Sequence, residues 1–233
     1  MSSKRLIDIY LCRHGTTTWN LKGLWQGLKD TRLASEGIEQ ARSQASTFTK
    51  SNIQPEKIVA SPLLRAKETA MILSKGLGLN KSIELDDRLK ECYLGEFEGM
   101  HRDTIYGPKY KYIFNRLRKL PQEKRIRTTY FDDLETPKEI SDRVVECILD
   151  TTTETAALAK KPQKCMMYVS HSVILKSVLS TVFNKYYEGI QMETLAWIHM
   201  RVDLETKKLS LCQVDGIEFD VHKEEEEEEE EEV

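Results

Sequence analysis

Three short stretches of the chain place a cation or an imidazole directly after an apolar run. Arg13 and His14 follow the run at 6–12, Arg65 follows a second run, and His171 follows a third. Arginine keeps its positive charge and binds the oxygens of an oxyanion through paired N–H donors. Cations gathered in this way repel one another unless an anion lies between them. The residue types therefore predict a pocket for a tetrahedral anion such as phosphate.

His14 is the candidate nucleophile of this pocket. A neutral imidazole can attack phosphorus through one nitrogen if its other nitrogen is held as a donor. His171 would stabilise the oxygens of the transferring group, because phosphoryl transfer depends mainly on preorganised positive charge. Glu91 precedes an apolar segment, and partial burial would keep its carboxyl protonated for use as a proton donor. Glu96 and Glu98 are expected to face solvent instead.

Neutral side chains close to the first stretch are predicted to complete the rim of the pocket. They are Thr17, Asn20 and Gln26, whose hydroxyl and amide groups can bond to phosphate oxygens. Taken alone, each charged candidate also has an ordinary interpretation, as a structural hydrogen-bonding histidine or a residue of a surface ion pair. Their coincidence at strand ends favours a shared site.

Apolar runs alternate with amphipathic segments along the chain, which is typical of a parallel α/β sheet. The run at 6–12 has the continuous apolar character of a strand covered on both faces. Ser35 fits the cap of a helix at 33–50. Further strands are predicted at 57–62, 164–170, 194–203 and 208–216, and a short extended piece followed by a turn at 82–92. The strands at 194–203 and 208–216 are arranged to form a hairpin across 205–207. Further helices are predicted at 63–78, at 136–161 and after 171.

We predict a three-layer α/β sandwich with a mostly parallel central sheet and helices on both faces. In such sheets the ligand lies beyond the carboxyl ends of the strands. Those ends carry Arg13 with His14, Ser61 with Arg65, and Ser170 with His171. The helix at 136–161 is expected to bury one face, made of Ile140, Val144, Val145, Ile148 and Leu149.

The negative charge of the chain is concentrated at its C-terminal end. The net charge is −3, but Glu224 to Glu232 are nine consecutive glutamates, so the preceding chain carries +6. We predict one domain over residues 1–223, with an insertion at about 100–134, and a disordered tail at 224–233. The tail is a solubilising extension or an interaction arm. The mildly basic body suits an anionic ligand but is too weakly basic to indicate nucleic acid.

The sequence predicts neither membrane insertion nor secretion. No apolar run approaches the roughly 18 residues that span a bilayer, and the N-terminal segment lacks the apolar stretch of a secretory signal. The five cysteines, Cys12, Cys92, Cys147, Cys165 and Cys212, form no CxxC pair, which argues against a disulfide framework and a zinc site. We predict mostly buried, reduced thiols, with Cys12 a packing residue, and a cytoplasmic location.

Five motifs of the chain occur in a familiar order: RHGTTTWN, LASEGIEQA, ASPLLRAKETA, DDRLKECYLGEFEG and VSHSVILKSVL. Through them the chain resembles branch 1 of the histidine phosphatase superfamily, over roughly residues 6–214. That branch contains cofactor-dependent phosphoglycerate mutases and broad-specificity phosphatases. The resemblance implies a phosphoglycerate mutase-like fold without a metal or a cofactor. It also implies that His14 is the phosphorylated nucleophile, that Glu91 donates a proton and later activates water, and that Arg13, Asn20, Arg65 and His171 bind the phosphate.

The chain departs from the pattern of that family in three places along the sequence. Thr16 stands where the family usually has an acid, and Ser172 stands where a glycine normally follows the histidine. The usual glycine pair before Glu135 is replaced by Asp133 and Leu134. None of these changes removes a reacting group, but Ser172 is a residue that can crowd the turn before it and reduce activity.

The insertion at about 100–134 is rich in Lys, Arg and Tyr, and the resemblance places it over the active site as the substrate-selecting segment. It either contacts a second anionic group or forms an ordinary solvated face. It lacks the arginine pair and proline-rich segment of the mutases, which favours hydrolysis. We therefore predict a metal-independent phosphatase of small phosphorylated metabolites. The alternatives are a phosphoglycerate mutase or sugar-bisphosphate phosphatase, or a catalytically weak phosphate-binding scaffold; a homodimer is left open.

Overall fold

A mixed β-sheet forms the centre of the molecule, in a computed structural model that describes residues 5–79, 82–129, 134–158, 165–185 and 190–219. Its strands are β1 (Leu6–Arg13), β2 (Ile58–Ala60), β3 (Glu84–Leu85), β4 (Cys165–Ser170), β5 (Ile190–Asp203) and β6 (Lys208–Phe219). They lie in the order β3-β2-β4-β1-β5-β6. The first four run parallel, β5 is antiparallel to β1, and β6 is antiparallel to β5. The predicted mostly parallel sheet and the hairpin are confirmed.

Helices cover both faces of this sheet. The described helices are α1 (Thr18–Leu21), α2 (Ser35–Lys50), α3 (Leu64–Gly76), α4 (Arg102–Ile105), α5 (Lys111–Arg118), α6 (Gln122–Arg125), α7 (Pro137–Leu158) and α8 (Ser172–Val182), with 3₁₀ turns at Asp87–Leu89 and Gly95–Phe97. Helices α2 and α3 pack on one face, and α7 and α8 pack on the other. The predicted three-layer α/β sandwich is therefore confirmed.

The side chains of β1 show why apolar residues occur on both faces of this strand. Ile7, Ile9 and Leu11 belong to the core cluster that contains α7 and α8. Tyr10 and Cys12 point to the opposite face and join the cluster that contains α2 and α3. Successive residues of a strand alternate between faces, so a strand with helices on both sides carries apolar residues on both. Asp8 is the exception, and its carboxylate pairs with Arg201 and His199 of β5. The prediction that Cys12 is a packing residue is confirmed.

Helix α2 begins differently from the prediction. Ser35 is already its first helical residue, and the cap position is Ala34, which makes no side-chain cap bond. The entry of the helix is fixed instead by the backbone N–H of Ala34, which donates to Thr16 O at 2.9 Å. A Cβ at Gly37 would lie 2.1 Å from Thr16 O. The glycine therefore allows α2 to pack directly against the loop that follows β1.

Helix α7 lies where it was predicted and buries most of the expected face. Ile140, Val144 and Ile148 are buried, whereas Val145 and Leu149 are only half-buried. The helix packs beside α8 against the sheet, so only a narrow stripe is fully covered. Within the described ranges, no helix combines the length and the apolar character needed to cross a bilayer.

The insertion packs around a small apolar cluster of its own. Phe97, Ile105, Tyr110, Ile113 and Phe114 are buried together there. This cluster lies apart from the two main cores and holds α4 and α5 over one end of the sheet. Residues 130–133 of the insertion and the tail at 224–233 lie outside the described residues.

Candidate active site

The carboxyl ends of β1, β2 and β4 open into a cavity of about 660 Å³. Arg13, His14, Arg65 and Glu91 line it. His171 is fully buried beside them, with its ring centroid 5.3 Å from that of His14. The structure thus brings together the five residues that the sequence nominated for catalysis, because β1, β2 and β4 are neighbours in the sheet and all point the same way.

The ring of His14 is oriented by the backbone. Its Nδ1 lies 2.7 Å from Gly15 O, so Nδ1 carries the proton and donates it to this carbonyl. The lone pair is then on Nε2, the nitrogen that can attack phosphorus. Burial lowers the pKa of His14 well below its usual value, and the charges of Arg65 and Arg13 lower it further. The imidazole is therefore neutral at pH 7, as a nucleophile must be.

The two arginines are held from behind by backbone carbonyls. Nη1 of Arg13 donates to Met192 O at 2.7 Å. Nη2 of Arg65 donates to Gly27 O at 2.8 Å, and its Nη1 donates to Lys29 O at 2.9 Å. Burial lowers the pKa of Arg13 to about 10, which leaves it charged at pH 7. The Nε atom of each arginine is buried without a hydrogen-bond partner among the described residues, which suits an anionic ligand.

His171 is set up as a neutral hydrogen-bond donor. Its Nε2 lies 2.8 Å from Ser61 Oγ. Because Ser61 Oγ accepts from Leu63 N, its own proton is available for Nε2, which places the ring proton on Nδ1. Nδ1 is buried and has no partner within the described chain. Burial, followed by the charge of Arg65, lowers the pKa of His171 well below its usual value.

Glu91 is the buried carboxyl of the site, with 7% of its surface exposed. Burial raises its pKa, and this effect exceeds the opposing effects of Arg65 and of two backbone N–H donors, Cys92 and Val173. The N–H of Cys92 donates to Glu91 Oε1 at 3.1 Å. A carboxyl group whose pKa is raised, and which lies beside a pocket lined by arginines, can act as both proton donor and base.

The other two carboxylates of the Glu91 loop behave differently from each other. Glu96 is exposed, as expected. Glu98 is half-buried, and its Oε1 accepts from Leu28 N at 2.8 Å and from Leu94 N at 3.3 Å. The expectation that Glu98 faces solvent was wrong, because its carboxylate satisfies backbone donors of two neighbouring loops.

Arg143, on α7, fixes the loop that carries Glu91 and was not singled out from the sequence. Its Nη1 donates to Arg88 O at 2.5 Å and to Lys90 O at 2.8 Å. Its Nε and Nη2 donate to the carboxylate of Glu135 at 2.7 and 2.9 Å. The two bonds of Nη1 tie α7 to the segment directly before Glu91, and the two bonds to Glu135 hold the guanidinium in place. No local pattern reveals such a contact, since the carbonyls lie more than fifty residues away in the chain.

The predicted rim residues have different positions. Asn20 and Gln26 line the cavity. Thr17 does not line it: the side chain is fully buried and caps α1, where its Oγ1 accepts from Asn20 N at 3.0 Å. Thr17 Oγ1 also donates to Gln26 Oε1 at 3.0 Å. Thr17 therefore positions the two amides, and direct contact with a phosphate does not fit its geometry.

The departures at Thr16 and Ser172 leave the cavity intact. Thr16 is buried in a neutral hydrogen-bond cluster, where Oγ1 donates to Gln40 Oε1 at 2.9 Å and lies 3.0 Å from Thr194 Oγ1. Ser172 is the first residue of α8, and His171 before it has extended backbone with φ −133°. Ser172 consequently does not distort the turn. This geometry weakens the case for a silent scaffold protein.

The cysteines take no part in the site chemistry. All five are free, four are buried and Cys212 is exposed. Cys92 lines the cavity, but burial raises the pKa of its thiol well above the usual value. Within the described residues there is no group of His, Cys, Asp or Glu side chains that could hold a metal ion.

Comparisons with known proteins agree with this geometry. The family model described as histidine phosphatase superfamily (branch 1) matches residues 9–215. The chain is 31% identical over 178 residues to the probable phosphoglycerate mutase GpmB of Enterobacter sp. (strain 638), covering 76% of this chain and 75% of that one. It is 37% identical over 94 residues to the metal-independent phosphoserine phosphatase of Arabidopsis thaliana, covering 40% and 39%.

A solved structure extends the likeness to the fold as a whole. The mycobacterial glucosyl-3-phosphoglycerate phosphatase superposes with a TM-score of 0.73 at 22% identity, covering 90% of this chain and 98% of that chain. The family match covers nearly all of the described sheet, and the five side chains nominated from the sequence lie together at one end of it. The chain belongs to branch 1 of the histidine phosphatase superfamily.

Proposed function

We propose that this phosphoric monoester hydrolase acts on small phosphorylated metabolites through a phosphohistidine formed on His14. Family membership gives the class of reaction, and the proposal adds the residues and the route. The observation that carries it is the bond between His14 Nδ1 and Gly15 O, which leaves Nε2 unprotonated in a cavity lined by cations. Arg13 and Arg65 provide the positive charge that phosphoryl transfer needs.

In the first step, Nε2 of His14 attacks phosphorus and the bond from phosphorus to the ester oxygen breaks. Arg13, Arg65 and the Nδ1–H of His171 stabilise the equatorial oxygens. Glu91, protonated because burial raises its pKa, gives its proton to the leaving oxygen and ends as a carboxylate.

In the second step, the carboxylate of Glu91 takes a proton from water. The water oxygen attacks phosphorus, the Nε2–phosphorus bond breaks, and inorganic phosphate leaves. Glu91 is protonated again and Nε2 of His14 has its lone pair back. Each step therefore prepares the protonation state that the next one needs.

The direct test is turnover of p-nitrophenyl phosphate in EDTA, with acid-labile labelling of the protein by a ³²P-phosphomonoester. We expect wild type to turn over and to carry label, and His14→Ala to do neither. His101→Asn is the matched control, since it removes an exposed imidazole and keeps an acceptor at the cap of α4. Equal turnover by wild type and His14→Ala would refute the route.

Phosphoglycerate mutase activity is the second candidate, and the relative named as a mutase supports it. A mutase must keep the dephosphorylated intermediate in the cavity until the phosphoryl group returns to it. Product analysis with 3-phosphoglycerate separates the two. Inorganic phosphate as the sole product supports hydrolysis, whereas 2-phosphoglycerate stimulated by 2,3-bisphosphoglycerate supports the mutase.

The proposal includes a cytoplasmic location and needs neither a metal nor a cofactor. The free thiols of the cysteines suit a reducing compartment. The positive charge that a metal provides in other phosphatases would come here from Arg13 and Arg65.

A further inference from the structure

A tight turn at 26–29 holds the guanidinium of Arg65. The backbone N–H of Lys29 donates to Gln26 O at 3.0 Å, which closes the turn. Within it, the carbonyls of Gly27 and Lys29 accept from Nη2 and Nη1 of Arg65 at 2.8 and 2.9 Å. The direction in which the guanidinium points therefore depends on where this turn lies.

Hydrogen bonds, more than apolar packing, fix the position of this turn. Leu28 and Lys29 are exposed at its tip, so the core does not cover it there. The backbone N–H of Leu28 donates to Glu98 Oε1 at 2.8 Å. Because Leu28 lies between the two residues whose carbonyls Arg65 uses, this one bond fixes both carbonyls.

The backbone in turn fixes Glu98 beside the turn. Gly99 N donates to Trp25 O at 2.8 Å, and Trp25 N donates to Met100 O at 3.0 Å. These bonds pair the residue before the turn with the two residues after Glu98. A Cβ at Gly27, where φ is +51°, would overlap Glu98 Oε1. Glycine at this position therefore allows the carboxylate to approach the turn closely.

The same carboxylate oxygen also reaches the loop that carries Glu91. Leu94 N donates to Glu98 Oε1 at 3.3 Å, and Leu94 and Glu91 both line the cavity. One oxygen thus accepts from the turn that holds Arg65 and from the loop of the proposed proton donor. Burial lowers the pKa of Arg65, and the charge of Glu98 is one of those that oppose this effect. Glu98 is therefore close enough to act on Arg65 by charge as well as through the turn.

We propose that Glu98 is a positioning residue, which holds the turn at 26–29 so that Arg65 presents its guanidinium to the phosphate. This inference rests on the proposed function and adds a residue that is absent from the described lining of the cavity. Without the carboxylate, Leu28 N loses its acceptor and the turn can shift. A guanidinium that has to bind two carbonyls and a phosphate at once then loses its alignment.

A double-mutant cycle tests whether Glu98 acts through Arg65. Turnover of p-nitrophenyl phosphate and its inhibition by inorganic phosphate are measured in wild type, Glu98→Ala, Arg65→Lys and the double variant. We expect Glu98→Ala to lower kcat/KM by about 10-fold and to raise Ki for phosphate by a similar factor, the size of one charge-assisted hydrogen bond. In the Arg65→Lys background the same substitution should change either quantity by less than about 2-fold, because an ammonium lacks the planar fork that the two carbonyls align.

Two further variants separate the hydrogen bond from the charge. Glu98→Gln keeps an acceptor for Leu28 N but loses the negative charge, so it should retain most of the wild-type kcat/KM and Ki. Glu96→Ala is the matched control, since it removes an exposed carboxylate from the same loop and should leave both quantities as in wild type. Glu98→Asp, whose side chain is one methylene shorter, takes the place of Glu98→Ala in the cycle if the alanine variant does not fold.

An equal fall in both backgrounds overturns the inference, and so does a Glu98→Gln variant that is as impaired as Glu98→Ala. A wild-type protein that turns over no phosphomonoester, p-nitrophenyl phosphate included, refutes the proposed function instead. Binding of inorganic phosphate to the same four proteins, measured by calorimetry, then still tests the link between Glu98 and Arg65.

Discussion

The phosphate end of the cavity and its outer wall are built in opposite ways. At the phosphate end, Arg65 and His171 are 1% and 0% exposed and are held by hydrogen bonds from behind. At the outer wall, where the insertion lines the cavity, Arg102 and Arg118 are exposed and stand on short helices around a separate apolar cluster. The first arrangement fixes reacting atoms within a fraction of an ångström. At the outer wall, residues can be substituted with little effect on the sheet.

The difference shows where each property of the enzyme is encoded. The strand ends belong to the core, so a change there alters both the fold and the chemistry. The loop that carries Glu91 is fixed to the same core: Ser170 Oγ, at the end of β4, donates to Leu89 O at 2.7 Å. The insertion contacts the core less, which leaves it free to determine which phosphomonoester enters.

Glu91→Gln should produce the largest effect, because it disables proton transfer at the fixed end. We expect kcat on an alkyl phosphate to fall by about 10²- to 10⁴-fold. In wild type, kcat/KM should fall as pH rises through the pKa of Glu91, since only the protonated acid donates. Burial raises that pKa, so this alkaline limb of the pH profile lies at a higher pH than the titration of an ordinary glutamate would give. The pH dependence of kcat and kcat/KM with glycerol 3-phosphate as substrate measures both the loss in the variant and the alkaline fall in wild type.

p-Nitrophenyl phosphate provides the internal control for this variant. Its phenolate leaves without a proton, so the first step survives in Glu91→Gln, whereas the second still lacks its base. The phosphohistidine should therefore accumulate. An alkyl phosphatase activity like that of wild type, or the same alkaline limb in the variant, would show that another group supplies the proton.

Arg143→Met should produce a smaller effect, because it loosens Glu91 without removing it. Loss of the bonds to Arg88 O and Lys90 O lets the loop shift, and we expect kcat to fall about 10- to 100-fold with KM little changed. Removing this cation also raises the pKa of Glu91, so the alkaline limb moves to higher pH. kcat, KM and the pH profile are measured together.

Two further variants separate positioning from stability. Arg143→Lys keeps the positive charge that Arg143→Met removes. Its pH profile should therefore be closer to that of wild type than its kcat is. Lys138→Met removes a half-buried cation from the same helix, where it pairs only with Asp142 among the described residues. A fall in kcat in Lys138→Met, or an unmoved limb in Arg143→Met, would count against the positioning role.

The sequence predicted the phosphate end well for a physical reason. Apolar runs mark buried strands, parallel strands point the same way, and polar residues after them must meet at one edge. Arg13, His14, Arg65 and His171 could be placed by that rule alone. Their adjacency required in addition that β2, β4 and β1 lie side by side, an order that the structure shows and that no local pattern of the sequence indicates.

The errors concern contacts between distant segments. Ser35 is a good cap residue by type, but the bond from Ala34 N to Thr16 O sets where α2 begins. Glu98 and Thr17 were judged from their neighbours in sequence, whereas their partners include residues of other loops. The outer wall was left open for the same reason, since composition cannot say which cations of a basic segment face a cavity.

Removal of residues 224–233 should produce the smallest effect. Phe219, the last residue of β6, pairs with Ile190, which lines the cavity. Nine glutamates that follow so soon after this point repel an anionic substrate as it approaches. At about 10 mM ionic strength, we expect truncation to lower KM by roughly 2-fold and to leave kcat unchanged. At about 0.5 M the Debye length is only a few ångströms, so truncation should change neither KM nor kcat. Replacing the nine glutamates by glutamine keeps the length and should match the truncation. A KM shift that persists at high salt would show that the tail acts by contact and not by charge, and would make it part of the wall that selects substrate.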